Sequence, residues 1–199
     1  NEEIFYNIDI LHSAVNDRKK VRLIYIRRVM GDNNRIAESA KEMVVNPYAL
    51  VWENDHYYLI GNLDKYNNLI HLRLDRMKRV TELKTTVRHF SEVSPYKTFF
   101  DVADYTRKSF NMFGGELKTI ELRCREDQLE QVVDRFGDKL YLRQNGDGTF
   151  TFSTKANISE GLISWLLQFG GDIEALSPPE LRKSIAERVA KIQNIYGKN

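Results

Sequence analysis

Between residues 21 and 74 the chain crowds four β-prone runs together: VRLIYI (21–26), EMVVNPYALVW (42–52), HYYLIG (56–61) and LIHLRL (69–74). Only the polar turns ENDH and DKYNN separate the last three, so no helix fits among them. Between the first two, MGDNNRIAESAK reads as a loop or strand tip. Short antiparallel strands at this spacing, rich in β-branched and aromatic residues, predict a small β-barrel. A helix precedes it: over 3–17, Ile4, Ile8, Leu11 and Val15 recur at spacings of three and four.

The second half has another rhythm. Residues 89–116 mix aromatics with turn formers and end in Gly114-Gly115, which reads as an ordered linker. A strand at 117–125 (LKTIELRCR), a helix at 126–137 and strands at 139–144 and 149–155 follow, the last two joined by the hairpin signal NGDG. Helices at 158–170 and 178–196 flank a final strand, IEAL, and the second opens on a proline pair that a helix start tolerates. The order βαββαβα predicts a ferredoxin-like module. The final helix aligns Leu181, Ile185, Val189, Ile192 and Tyr196 in one stripe, which its sheet is expected to bury. The whole is therefore α+β: a helix over 1–18, a barrel over 19–88, a linker over 89–116 and the ferredoxin-like domain over 117–199.

Several chemistries lack their signatures. The four histidines, His12, His56, His71 and His89, fall at no zinc-ligand spacing, and there is no Walker A loop, G-x-G-x-x-G turn or G-x-S-x-G elbow. Neither a metal nor another cofactor is expected, and an enzyme is the minority reading. The single cysteine, Cys124, cannot form an internal disulfide, and as an alternating strand residue it points away from Arg123 and Arg125. No run reaches the length of a membrane span and the acidic start NEEIFYNIDI is unlike a signal peptide, so a cytoplasmic protein is expected. A chain opening on Asn is expected to have been cut from something longer.

Thirty basic residues against twenty-eight acidic ones do not announce a nucleic-acid binder, so any such reading rests on local clustering. The stretch IHLRLDRMKR (70–79) provides it. Ile70, Leu72 and Leu74 take one strand face and His71, Arg73 and Asp75 the other, while Arg76, Lys78, Arg79, Lys84 and Arg88 extend the densest basic segment against only Asp75 and Glu82. Guanidinium groups offer fixed donors to phosphate, and Tyr25, Tyr48, Tyr57 and Tyr58 on neighbouring strands offer rings for stacking on bases. The plainer reading is a solvated strand with Arg73 or Arg76 in an ion pair to Asp75 or Glu82. Periodicity leaves both open.

The residues that carry these features also resemble a known family. Pro47-Tyr48-Ala49-Leu50, Tyr57-Tyr58-Leu59 and Arg73-Leu74-Asp75-Arg76, behind VRLIYI with Tyr25, look like the WYL domain of bacterial transcriptional regulators. Tyr57 stands where that family's motif has tryptophan. Gly170, Ile173, Pro178, Leu181 and Arg182 resemble the C-terminal extension called WCX, and the two resemblances cover nearly the whole chain. They imply an Sm-like barrel followed by a ferredoxin-like module, behind a DNA-binding helix-turn-helix that this sequence does not contain. They further imply a ligand-sensing region with a basic groove for single-stranded DNA, RNA or a nucleotide, and a homodimer. Double-stranded DNA would be read only through the missing module. The groove carries over to Tyr25, Tyr48, Tyr57, His71, Arg73 and Arg76. His71 has a surface role and Tyr48 a core-filling role as alternatives, and Tyr58 is assigned to the core. For self-association the candidates are the linker aromatics Phe99, Phe100, Phe110 and Phe113, with WCX contributing; a dimerisation or protein-interaction module without a nucleic-acid ligand is the alternative function.

Overall fold

A computed structural model describes residues 2–31, 35–109 and 114–197. The chain divides into two compact units, Asn1–Val102 and Ala103–Asn199.

In the first unit, helix α1 (Glu2–Asn16) buries Leu11 and Ala14 completely, with Ile8 and Ile10 partly covered beside them. Five strands follow: β1 (Lys19–Met30), β2 (Ile36–Glu53), β3 (His56–Asn62), β4 (Ile70–Arg73) and β5 (Met77–Thr86). They form one antiparallel sheet in the order β4-β3-β2-β1-β5. Strand β2 serves two partners: Ile36–Val45 pairs with β1 and Asn46–Glu53 with β3, with a register shift at Pro47–Ala49. At that junction the buried Asn46 amide donates to Asn62 Oδ1 (3.2 Å) and Asp64 Oδ1 (2.7 Å), while its own oxygen accepts from the Arg88 N–H (2.9 Å). Asn62 in turn donates to the carbonyls of Tyr66 and Asn68, both at 2.9 Å. A buried amide pair with this many partners holds both the change of direction and the loop that follows.

Leu11, Val21, Leu23, Val45, Leu59 and Leu74 fill the core. The tight β2–β3 turn places Asn54 and Asp55 at φ 48° and 59°, the left-handed pair a two-residue hairpin requires. Strands β4 and β5 lie at opposite ends of the sheet order, and among the described residues no ladder joins them, so the expected barrel is not closed by hydrogen bonds.

One expectation is corrected here, and two segments that the sequence left open are placed. MGDNNRIAESAK is not simply a loop, because strand pairing resumes at Ile36, with Glu38 opposite Arg28. The basic segment after Arg76 is itself strand β5, anchored by Met77 and Val80. Tyr58 is half-buried rather than in the core, because its neighbour Leu59 takes the inward face.

The second unit begins with the short helix α2 (Val102–Lys108), whose Tyr105 is buried. Strand β6 (Glu116–Arg125), helix α3 (Leu129–Phe136), β7 (Arg143–Gln144), β8 (Thr149–Ile158), α4 (Glu160–Leu167), β9 (Ile173–Ser177) and α5 (Pro179–Tyr196) follow in the anticipated order. The sheet runs β7-β8-β6-β9 with antiparallel neighbours. Ile120, Leu122 and Cys124 alternate inward along β6 and are fully buried. Burial pushes the Cys124 thiol up to about 12, so it stays protonated and unreactive near neutral pH.

The strand predicted at 139–144 shrinks to two residues. The stripe on α5 is also corrected: Leu181 is buried and Ile185 partly so, but Val189, Ile192 and Tyr196 are exposed. An 18-residue helix runs to about 27 Å, while five-residue β9, the strand it packs on, reaches only about 17 Å, so its far half extends past that strand. Among the described residues no helix is long and apolar enough to cross a membrane.

Candidate ligand-binding site

The corner where β4 ends gathers most of the chemistry. β3 and β4 pair Tyr58 with Arg73 and Ile60 with His71, which puts Tyr58, Arg73 and His71 on the sheet face opposite Leu59 and Leu72. After Arg73 a single 3-10 turn, Leu74–Arg76, drives the Leu74 side chain into the core and leaves Asp75 and Arg76 exposed.

Asp75 grips Arg73 with both oxygens, accepting from Nε at 3.0 Å and from Nη2 at 2.7 Å. The Arg73 backbone N–H donates to the Tyr25 hydroxyl at 3.2 Å, and Tyr25 is otherwise buried in the core. Arg73 is thus fixed from two sides, its side chain by Asp75 and its backbone by Tyr25. Of its five N–H donors the clamp uses two, leaving three.

The electrostatics keep both partners ionised. The Arg73 guanidinium is the largest cause holding the Asp75 carboxyl below its usual range, against an opposing desolvation, with His56 and Arg76 adding to it. The same contact with Asp75 raises Arg73 above its ordinary value. Arg76 makes no ion pair among the described residues and is exposed. Beyond it Lys78 is only 3.9 Å from Glu38, a loose surface pair, and Arg79 sits at φ 52° where the β1–β5 register shifts. Such a bulge turns a side chain away from the regular strand direction. The plainer sequence reading is therefore realised at Arg73, while Arg76 stays uncommitted.

The remaining candidates are distributed around this corner and away from it. Tyr57 is 40% exposed and stands edge-on to Trp52, its cross-strand partner, with ring centroids 4.7 Å apart. Tyr48 is buried; its hydroxyl donates to the Arg88 carbonyl at 2.8 Å, and its ring packs against Phe90 and Phe100 rather than against Arg73. Burial drives the Tyr48 phenol well above its ordinary value, despite the nearby Arg88. The structure thus brings Tyr25, Tyr58, Arg73 and Arg76 together, sets His71 two residues along β4, and separates Tyr48.

Sequence reasoning missed His56, whose charge acts on Asp75 and whose ring is 6.4 Å from that of Tyr58, and the exposed Trp52. Trp52 precedes the ENDH turn and His56 closes it, the one signal that singles them out. Of the linker aromatics, Phe100 is packed within the first unit, Phe99 is largely exposed, and Phe110 and Phe113 lie outside the described residues. Among the described residues no group of three His, Cys, Asp or Glu side chains is arranged to hold a metal ion.

Residues 6–82 match the family model described as the WYL domain, and residues 116–193 that of the WCX domain. No curated protein matches the chain. Among solved structures it is similar to proteasome accessory factor B/C (PafBC) of Arthrobacter aurescens, 15% identical over 98% of this chain and 28% of that one, with a TM-score of 0.38. It is also similar to a CRISPR Cas-related protein, 14% identical over 98% of this chain and 53% of that one, with a TM-score of 0.53. The chain spans about half or less of either structure, and the second likeness is one of fold.

Proposed function

We propose that this chain, which carries a WYL domain followed by a WCX domain, is the ligand-sensing region of a transcriptional regulator. On this reading the first unit is an Sm-like sheet, open between β4 and β5, and the second a ferredoxin-like module, a view supported by the strand orders β4-β3-β2-β1-β5 and β7-β8-β6-β9. The ligand is single-stranded nucleic acid or a nucleotide, taken at the Arg73 corner. The protein senses it in the cytoplasm as a homodimer, without turnover.

One observation carries the proposal: a bidentate clamp holds Arg73 while leaving three donors, beside the exposed Arg76, which has no ion pair among the described residues, and the half-buried ring of Tyr58. Phosphate oxygens meet the guanidinium groups and a base meets the ring. A fluorescence-anisotropy titration with a labelled single-stranded oligonucleotide tests it. Arg73→Ala and Arg76→Ala should each weaken binding by about 1.5–3 kcal/mol with the fold intact. Undiminished binding by the double alanine variant would sink the assignment.

A further inference from the structure

Away from the Arg73 corner, the first unit holds a cavity of about 290 Å³ that the function proposed above leaves unused. Tyr48, Phe90, Phe99 and Phe100 give it aromatic walls, and Arg18 and His89 are the charged and titratable groups that line it. The walls are organised. Tyr48 stacks on Phe100 at 6.2 Å and 28° between planes, while Phe90 meets both rings edge-on at 6.2 and 5.9 Å. Phe99 behaves otherwise: it lines the cavity yet is 68% exposed, so it adds little to the core.

The polar lining is directed too. Arg18 sits at φ 53°, its carbonyl tied to the Val87 N–H at 3.0 Å, so its backbone is fixed in a conformation few non-glycine residues adopt. Its guanidinium has no ion-pair partner among the described residues; the adjacent Asp17 faces the Ser13 hydroxyl instead, at 3.4 Å. The His89 Nδ1 meets the Ser91 N–H at 3.3 Å and the Ser91 hydroxyl at 2.8 Å, which fixes the ring at the cavity's edge. An exposed guanidinium with no ion-pair partner among the described residues, beside a cavity lined by four aromatic rings and by Val15, Pro47 and Val87, suits an anion carried on a flat apolar body.

We infer that this cavity binds a small planar aromatic carboxylate, its ring between Tyr48, Phe90, Phe99 and Phe100 and its carboxylate on Arg18. The volume is at the small end of ligand pockets and suits one or two fused rings, not a whole nucleotide.

Calorimetric titration of the whole chain with indole-3-carboxylate and benzoate tests this, with indole-3-carboxamide and cyclohexanecarboxylate as matched controls. Both aromatic acids should bind saturably and both controls about tenfold or more weakly. Arg18→Gln and Phe99→Ala, each at an exposed residue, should weaken the acids about tenfold, while Arg73→Ala should leave them unchanged. The inference is overturned if neither acid saturates, if the carboxamide binds as well as the acid, or if both cavity variants bind like the parent. Loss of acid binding in Arg73→Ala alone would move the ligand to the Arg73 corner and equally overturn it.

Discussion

In the second unit Glu174 of β9 lies between two arginines from different elements, Arg123 of β6 at 2.7 Å and Arg182 of α5 at 2.8 Å. In the first unit Asp75 is held by Arg73, two residues earlier in the same chain corner, at 2.7 Å. The chemistry is alike and the consequence differs. A carboxylate shared by a strand and a helix fastens one element to another, and Arg182 also donates to the Ala175 carbonyl on the exposed edge of β9. A pair closed within three residues joins nothing distant; it orients a guanidinium. The units also differ in charge: the first has sixteen Lys and Arg against fourteen Asp and Glu, the second fourteen of each, so the net +2 belongs to the first.

The largest effects should show where the units are alike. Leu59→Ala and Leu162→Ala each empty a fully or almost fully enclosed position in their own core, and each should cost about 3 kcal/mol in chemical denaturation. A marked inequality would mean that one core is much looser than the other.

The ion pairs should then part company. Glu174→Gln should lower stability by about 1 kcal/mol, since the carboxylate is a third exposed and screened, whereas Asp75→Asn should stay within about 0.5 kcal/mol and instead loosen Arg73. The sign of the pH dependence follows. Glu174 is held below its usual range chiefly by Arg182, and Asp75 chiefly by Arg73. Folded-state values below the unfolded ones give stability that is present above the unfolded pKa and lost as pH falls through the folded pKa. Acid titration of the parent should therefore show a destabilising limb that Glu174→Gln flattens more than Asp75→Asn. Smallest of all, Val189→Ser and Ile192→Ser on the exposed half of α5 should each stay within about 0.5 kcal/mol, in contrast to the buried Leu181.

Much of this was legible in the sequence because periodicity reports burial. Leu72 and Leu74 turn inward as the alternation predicts, and Ile120, Leu122 and Cys124 do the same along β6. The signal fails where pairing, not burial, makes the strand: Ala37 to Lys41 have no buried member and extend β2 only because β1 lies beside them. It fails again on α5, where a regular stripe outruns β9, the strand it packs on. At the candidate site, Arg73 and Arg76 could be read from charge density, while Tyr25 entered through the resemblance to the WYL family. The clamp by Asp75 could be posed only as an alternative, because alternation puts Asp75 on the face of Arg73 without saying which of Arg73 and Arg76 it pairs with. Tyr48 shows the reverse: in sequence it stands with the other tyrosines, but the register shift at Pro47–Ala49 sends it to Phe90 and Phe100.

The claim that the Arg73 corner meets phosphate is tested most directly by salt. Affinity for a labelled single-stranded oligonucleotide should fall linearly in a plot of log K against log salt, with a slope near −0.7 for each phosphate neutralised. Replacing Arg76 with alanine should flatten that slope by about 0.7, because one counterion release is lost. A slope near zero in the parent, or an unchanged slope in Arg76→Ala, would contradict the account.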